Sequence, residues 1–203
     1  NRWVEQRAQM VKELSGGKVG YVHVEGMDSE SFRRAYSDLL GKYRTCEAVI
    51  VDTRHNGGGW LHDDLATLLA GQAYIRFEPR GQYIGTEPYS KWTKPSCVLI
   101  GEDNYSDASG FPYVYKTLGI GKLIGAPVPG TMTAVWWETQ IDPSIVFGIP
   151  QVGSVGTKED RYLENMQVEP DILVYNDPAS VLRGEDKQLE AAVKEMLKTI
   201  DNK

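Results

Sequence analysis

Runs of consecutive apolar residues alternate along this chain with segments in which apolar residues recur every three or four positions. The apolar runs cover residues 48–51 and 97–100, and residues 18–24 and 122–125 are predicted as further short strands. An uninterrupted apolar run is typical of a strand buried on both faces of a parallel sheet, whereas the wider spacing is typical of an amphipathic helix. The alternation therefore predicts an α/β fold with a mostly parallel sheet.

The segments with helical spacing end at recognisable stop signals. The first covers residues 3–14 and stops at Ser15-Gly16-Gly17, and glycine is the usual residue just past a helix end. We therefore expect a lead-in helix at residues 1–16, followed by a single α/β core at residues 17–203 with no linker that divides it. Further helical spacing occurs at residues 32–40, after a cap at Asp28 or Ser29, and at 61–69 and 189–197.

Three stretches depart from this alternation. Residues 74–95 are rich in proline and glycine and predict an edge hairpin or an excursion from the sheet. Residues 126–163 are rich in strand and turn formers. A helix is predicted over residues 107–117, but Pro112 falls inside it, so a kink or an irregular first turn is expected there.

Charge and composition exclude several classes of function. The formal net charge is −6 and lysine and arginine form no block, so nucleic acid and anionic membranes are not expected partners. No window of roughly 18 residues is apolar enough to predict a membrane span. Cys46 and Cys97 each begin an apolar run, which favours buried free thiols over a disulfide. The compartment stays unassigned, because the chain shows no signal-peptide pattern and opens with Asn1 rather than Met.

Ser106 occupies a position suited to a nucleophile. It follows the apolar run at 97–100 and a short polar turn, and it directly precedes the predicted helix at 107–117. A helix N-terminus favours negative charge, and the Asp107 N–H has no partner within the helix, so it can donate to an oxyanion. Serine is also a favoured helix cap, so a purely structural role is the alternative.

Gly57-Gly58-Gly59 follows the apolar run at 48–51. Consecutive glycines permit unusual φ and close ligand approach, and their amides can form an anion-accepting concavity; a flexible turn is the alternative. A phosphate loop is not expected, because no Gly-Lys-Ser/Thr follows. Since neighbouring parallel strands end at one sheet edge, we expect this turn and Ser106 to meet, as acyl transfer requires.

Several motifs together resemble the tricorn-like and C-terminal processing serine peptidases. The run from Asp52 to Gly59 is similar to the family pattern Asp-x-Arg-x-Asn-Gly-Gly-Gly. Residues 104–125 are similar to its nucleophile segment, and residues 164–171 to its Glu-Asn-x-x-Val-x-Pro-Asp segment. The resemblance covers nearly the whole chain. It implies a crotonase-like spiral of β-β-α units, shared with the barrel of the caseinolytic protease.

The resemblance implies a role for each of five residues. Ser106 would be the nucleophile of a serine-type peptidase. The amides of Gly59, or alternatively Gly58, and of Asp107 would form the oxyanion hole. Glu164 would be the acidic residue that orients a histidine through a second serine.

The resemblance also implies a substrate, which would be a peptide or an unfolded polypeptide. Gly57, His55 and Thr131 are expected to contact it. Thr131 lies in the segment 127–137, which includes Trp136-Trp137 and departs from the glycine-rich stretch of the family, so the substrate preference is open. No cofactor and no metal is implied. The run His62-Asp63-Asp64 matches no zinc spacing and predicts a solvated helix start.

A serine nucleophile needs a base, and no histidine of this chain fills that role by motif. In the tricorn-like family the base is a histidine, preceded by a serine, in a separate N-terminal helical domain, and a PDZ-like module commonly follows. Those domains are therefore implied partners, as is a homo-oligomer. A lysine base, as in C-terminal processing relatives, is disfavoured because no lysine occurs between Lys122 and Lys158.

Two other functions stay open at this point. One is a non-catalytic peptide-binding or assembly module of the same fold. The other, which the position of Ser106 disfavours, is an acyl-thioester enzyme of the crotonase type, since that fold holds an enolate with two amides in much the same place.

Overall fold

Helices and strands alternate in the computed structural model, which describes residues 2–202. Asn1 and Lys203 belong to the predicted domain but lie outside the described residues. In chain order the elements are α1 (Arg2–Ser15), β1 (Val19–His23), α2 (Ser29–Ser37), β2 (Ala48–Asp52), α3 (His62–Leu69), β3 (Ile75–Phe77), β4 (Gly85–Glu87), β5 (Ser96–Ile100), α4 (Asp107–Thr117), β6 (Lys122–Gly125), β7 (Ala134–Thr139), β8 (Val146–Val152), β9 (Val155–Gly156), β10 (Arg161–Tyr162), β11 (Ile172–Leu173), α5 (Pro178–Leu182) and α6 (Lys187–Asp201).

A parallel sheet of five strands, in the order β1-β2-β5-β6-β11, forms the centre of the fold. β2 and β5 are buried at every position, as their uninterrupted apolar sequences predict. The mostly parallel sheet is thereby confirmed. Because β2 and β5 are parallel neighbours, with Asp52 opposite Leu99, the loops that follow them leave the sheet at the same edge.

Helices cover both faces of this sheet. One apolar core joins the sheet to α2, α3 and α4, and a second joins it to α1 and α6. Along β2, Val49 and Val51 face the first core, whereas Ala48 and Ile50 face the second, as the alternation of side chains along a strand requires. The helices predicted from spacing are therefore confirmed, and their apolar stripes are the surfaces that pack on the sheet.

The predicted helix at 107–117 is also confirmed, and it continues through Pro112. Proline has no N–H, so it cannot donate to the carbonyl of Ala108 one turn earlier. The side chain of Asn104 replaces that bond, because its Nδ2 donates to the Ala108 carbonyl oxygen at 3.1 Å. A polar residue of the preceding loop thus satisfies the carbonyl that the proline leaves without a helical donor.

Three antiparallel two-stranded sheets, β3–β4, β7–β8 and the short pair β9–β10, stand apart from the central sheet among residues 2–202. β3 and β4 form the first, so the predicted hairpin within 74–95 is confirmed, as a separate two-stranded sheet. β7 and β8 form the second, which carries many exposed apolar side chains. Among residues 2–202, every helix is too short or too polar to cross a bilayer.

The two cysteines are free thiols that differ in burial. Cys97 is fully buried in β5, and burial raises the pKa of its thiol. Cys46 is only partly buried, so the prediction of two buried thiols is correct for Cys97 and wrong for Cys46.

Candidate active site

The glycine turn after β2 touches the serine that precedes α4. A Cβ atom placed on Gly58 would lie 2.6 Å from Ser106 Cβ and 2.7 Å from the Tyr105 carbonyl oxygen, so no side chain fits between the loops. Gly58 also has a φ of 101°, a conformation that L residues rarely adopt. The Tyr105 N–H donates to the Asn56 carbonyl oxygen at 3.1 Å and ties the loops together. The two strand ends therefore converge.

Ser106 has a strained backbone, with φ 53° and ψ −123°. Such conformations cost on the order of 1–3 kcal/mol and persist only where neighbours impose them. Here the Ser106 N–H donates to Thr131 Oγ1 at 2.8 Å, and its carbonyl accepts the N–H groups of Ser109 and Gly110 in the first turn of α4. Its side chain makes no capping bond to the helix and is partly exposed. The hydroxyl is therefore not engaged as a cap.

Two backbone N–H groups beside Ser106 have no acceptor among residues 2–202. The bridge between Gly59 and Met27 uses the N–H groups of Met27 and Trp60 and leaves that of Gly59 unused. The Asp107 N–H is the first of α4, where the helix offers no acceptor. Both groups are therefore able to donate to a bound anion.

The Gly58 N–H is already engaged. It donates to Asn56 Oδ1 at 2.9 Å, and Asn56 Nδ2 donates to the Val24 carbonyl oxygen at 2.8 Å, just beyond β1. Asn56 is fully buried, so its side chain fixes the glycine turn to the rim of the sheet. Of the two glycine amides predicted for the oxyanion hole, this geometry favours Gly59.

The carboxylate of Asp107 joins α4 to α3. Its Oδ2 accepts the N–H groups of Leu61 at 2.6 Å and His62 at 3.0 Å, and its Oδ1 pairs with His62 Nδ1. That hydrogen bond raises the pKa of His62, although partial burial opposes it. The side chain of His62 is only 20% exposed, so the predicted solvated helix start is wrong. Asp107 supplies the acceptors that the first turn of α3 needs.

The short segment at residues 130–133 connects Ser106 to Glu164. Within it, Thr131 Oγ1 accepts the Ser106 N–H at 2.8 Å. Glu164 Oε2 accepts the N–H groups of Met132 at 2.9 Å and Thr133 at 2.8 Å, and also the Thr133 hydroxyl at 2.8 Å. Burial raises the pKa of Glu164, but these three hydrogen bonds outweigh it and bring the pKa below its ordinary value. Glu164 is therefore a carboxylate at neutral pH.

A buried ion-pair network supports the glycine turn. Arg54 Nη2 lies 2.7 Å from Asp52 Oδ2, and Nη1 lies 3.0 Å from Asp186 Oδ1 at the start of α6. Burial lowers the pKa of Arg54, but the carboxylates of Asp52 and Asp186 outweigh it, so the net shift is upward. The Asp-x-Arg part of the motif thus joins the end of β2 to α6 and fixes the chain just before the glycines.

Ser106 opens into a cleft of about 730 Å³. The glycine turn, the first residue of α4, the segment at 131–135 and the β7–β8 hairpin line it. Clefts that bind small molecules and cofactors typically have a volume of this order. The predicted site residues that line it are Gly57, Gly58, Gly59, Ser106, Asp107, Thr131 and Glu164.

The model of peptidase family S41 matches residues 18–174, which is most of the chain. The chain belongs to peptidase family S41. It is 26% identical over 200 residues to the tricorn protease of Thermoplasma acidophilum, covering 98% of this chain and 19% of that protein. It is 27% identical over 191 residues to tricorn protease homolog 1 of Streptomyces coelicolor, covering 94% of this chain and 18% of that protein.

The crystal structure of the tricorn protease matches this S41 chain with a TM-score of 0.88 and 25% identity, over 98% of this chain and 19% of that one. The α/β fold class expected from the resemblance is thereby confirmed. The chain spans about a fifth of the length of the curated relatives it matches.

His55 and His62 of this S41 chain lie differently from expectation. His55, for which substrate contact is predicted, does not line the cleft; its Nδ1 lies 2.5 Å from Asp103 Oδ2, and its ring meets Trp3 edge-on at 5.5 Å. His23 Nε2 lies 3.1 Å from the Arg54 carbonyl oxygen, away from the cleft. Of the three, His62 lines the cleft. Substrate contact by His55 stays a prediction without support from this geometry.

Sequence reasoning did not assign the roles of His62, Asn56 and Thr133. The pairing of His62 with Asp107 joins residues 45 apart in the sequence, and no local pattern announces it. Asn56 offered a better signal, because a buried Asn directly before glycines commonly bonds to its own backbone two residues on. Thr133 lies in the segment that departs from the family pattern, so the resemblance assigned it no role.

Proposed function

We propose that this S41 chain is the core of a serine peptidase that hydrolyses peptide bonds through an acyl-enzyme on Ser106. The single observation that carries the proposal is the contact of Gly58 with Ser106, which leaves no room for a Cβ atom. The contact brings Ser106 against the turn that carries the unused Gly59 N–H, and Asp107, with its own unused N–H, follows Ser106 directly; a serine next to two N–H donors is what acyl transfer requires.

In the proposed mechanism Ser106 Oγ attacks the scissile carbonyl carbon. The carbonyl oxygen becomes an oxyanion and accepts hydrogen bonds from the N–H groups of Gly59 and Asp107. The intermediate then expels the amine and leaves an ester on Ser106, which water hydrolyses to restore the hydroxyl. Mutational data on related sites indicate that removing one such donor slows the reaction by about 10²–10³-fold.

We propose that the general base is a histidine from an N-terminal domain outside this chain. It would take the proton of Ser106 and return it to the leaving amine, and the ionised Glu164 would orient it through a serine. Two observations support this. The curated relatives are about five times longer than the part that this chain matches, and Glu164 is a carboxylate that lines the same cleft as Ser106.

Labelling with a fluorophosphonate tests the nucleophile. In the polypeptide encoded by the complete reading frame, we expect the probe to modify Ser106, as peptide mass spectrometry would locate it. Ser106→Ala should abolish both labelling and peptide hydrolysis. Ser37→Ala, which changes an exposed serine at the end of α2, is the control and should keep a probe adduct on Ser106. Labelling that survives Ser106→Ala would contradict the proposal, and a wild type that neither labels nor hydrolyses peptides would favour a binding module of the same fold.

The His62→Gln variant tests the source of the base. A glutamine can still donate a hydrogen bond to Asp107 but cannot accept the serine proton as a base. If His62 were the base, hydrolysis would fall about 10²–10⁴-fold. The proposal expects a far smaller loss, and it expects the 203-residue chain alone to turn over peptides negligibly.

A further inference from the structure

The β7–β8 hairpin places two neighbouring tryptophans on opposite faces. Side chains alternate along a strand, so Val135 and Trp137 share one face of β7 while Trp136 and Glu138 share the other. Val135, Trp137 and Pro150 of the partner strand line the cleft that contains Ser106, whereas Trp136 does not. Trp136 and Trp137 are similarly exposed, at 57% and 66%. One face of the hairpin is therefore a wall of the cleft.

A glycine in β8 gives the Trp137 ring its position. Gly148 pairs with Trp137 across the hairpin. A Cβ atom on Gly148 would lie 2.8 Å from Trp137 Cζ3 and 2.9 Å from Val135 Cγ1, so both side chains rest on the glycine. The φ of Gly148 lies outside the left-handed region, so the backbone does not require glycine here. What requires it is the room that the indole ring occupies.

The residues that line the cleft favour binding of a peptide with apolar side chains. Neither lysine nor arginine is among the residues that line it. Its carboxylates accept hydrogen bonds from the protein itself: Asp107 from two N–H groups and His62, and Glu164 from two N–H groups and Thr133. The side chains that present free surface on the hairpin side are aromatic or aliphatic, and burying such surface is worth roughly 25 cal/mol per Å².

We propose that Trp137 is a specificity-determining residue and that this site takes peptides with an aromatic or large aliphatic side chain beside the scissile bond. This side chain of the substrate packs against the indole ring of Trp137 and against Val135 and Pro150. The proposal rests on the proposed peptidase function, because it deepens the description of the cleft that Ser106 faces. It assigns no role to the opposite face of the hairpin.

Because Trp137 and Trp136 lie on opposite faces of β7, Trp137→Ala is the test variant and Trp136→Ala is its matched control. We would measure kcat/KM for peptides that differ only beside the scissile bond, with Phe, Leu, Ala, Lys or Glu, using the polypeptide of the complete reading frame. The wild type should prefer Phe and Leu. Trp137→Ala should lower kcat/KM for the Phe peptide about 10–200-fold, the range for lost apolar contacts in a specificity pocket, and change the Ala peptide little. Trp136→Ala should leave the Phe preference in place.

Gly148→Ala tests the same ring without removing it. The added methyl group displaces the Trp137 ring, so the Phe preference should shrink while hydrolysis of the Ala peptide persists. Circular dichroism and urea unfolding of each variant would report whether the hairpin change unfolds the core. A variant with a wild-type unfolding midpoint and a lost Phe preference supports the proposal.

A measurement of peptide binding distinguishes a failure of the specificity proposal for Trp137 from a failure of the proposed peptidase function. Fluorescence anisotropy of labelled Phe and Ala peptides with Ser106→Ala needs no turnover. We expect the Phe peptide to bind more tightly, and the added Trp137→Ala change to remove that difference. Hydrolysis that depends on Ser106, together with equal effects of Trp137→Ala and Trp136→Ala on the Phe preference, would overturn the specificity role of Trp137 but not the proposed peptidase function. A preference for Lys or Glu would also overturn the pocket. Hydrolysis that survives Ser106→Ala overturns the proposed acyl-enzyme on Ser106.

Discussion

The Cα atom of Gly58 lies against the side chain of Ser106, and a methyl group on it would be 2.6 Å from Ser106 Cβ. This contact explains why glycine is needed at the middle of the triple-glycine turn. The first glycine differs, because a Cβ atom on Gly57 would meet nothing within 4 Å and its φ is not in the left-handed region. Adjacent glycines of one turn thus have unequal steric requirements.

The first prediction follows from that inequality. Gly58→Ala should slow labelling of Ser106 by at least about 10²-fold, because it displaces the serine from the proposed oxyanion donors, the N–H groups of Gly59 and Asp107. It should also lower the free energy of unfolding by about 1–3 kcal/mol through overpacking. Gly57→Ala is the control and should change stability by less than about 1 kcal/mol. Equal effects of the two substitutions on labelling would contradict the geometry.

A second prediction concerns pH and His62. The hydrogen bond to Asp107 raises the pKa of His62 in the folded state, and Asp63 and Asp64 add to it, while burial opposes it. A raised pKa means that the ionic stabilisation is fully present below the unfolded pKa of about 6.5 and is lost as pH rises through the folded value. His62→Gln should therefore destabilise the chain more at about pH 5.5 than at about pH 8.5 in urea unfolding. A pH-independent difference would show that the pair contributes no ionic stabilisation.

Loss of the buried guanidinium gives the third prediction. Arg54→Met leaves the carboxylates of Asp52 and Asp186 buried without their main cation. Breaking a buried ion pair in this way costs about 3–5 kcal/mol, so the urea midpoint should fall sharply. Arg183→Met removes an exposed ion pair with Glu185 and should change the midpoint little. Similar shifts for both variants would mean that the network supplies no more than a surface pair.

The fourth prediction tests the Thr131 hydroxyl that accepts the Ser106 N–H. Thr131→Val keeps the shape of the side chain but removes the acceptor of the Ser106 N–H. Leaving a partly buried donor without an acceptor costs about 1–3 kcal/mol, and the strained serine backbone should relax. We expect slower labelling of Ser106 and a lower unfolding midpoint. Thr131→Ser retains the oxygen and should stay near wild type in both measurements; a Val variant that labels at the wild-type rate would contradict this role.

Local pattern was sufficient to predict the framework. β2, β5 and β6 are short, apolar and bounded by polar turns, and buried parallel strands are the structures that such runs form. The convergence of the glycine turn with Ser106 followed from the same logic, because parallel strands end at one edge. The resemblance added the expectation of a crotonase-like architecture.

Long-range partners were not predictable in the same way. Asp107 reaches back to His62 through the fold, and nothing in either neighbourhood specifies the other. The pattern of β7 shows that Trp136 and Trp137 face opposite ways, but it does not tell which of them faces the serine. The free Gly59 amide and the engaged Gly58 amide also depend on atomic positions that residue types alone do not determine.

The carboxylate of Glu164 is anchored mainly through main-chain N–H groups of Met132 and Thr133, and every amino acid except proline supplies such a group. Within residues 130–133, the hydrogen bonds that link Ser106 to Glu164 use the hydroxyls of Thr131 and Thr133 and otherwise main-chain groups. Under the proposed function, substitutions in the cleft wall at residues 134–137 would therefore leave the positions of Ser106 and Glu164 unchanged. Laboratory selection for new cleavage preferences should accordingly concentrate its substitutions at positions 134–137 and leave Ser106, Glu164 and their hydrogen bonds unchanged.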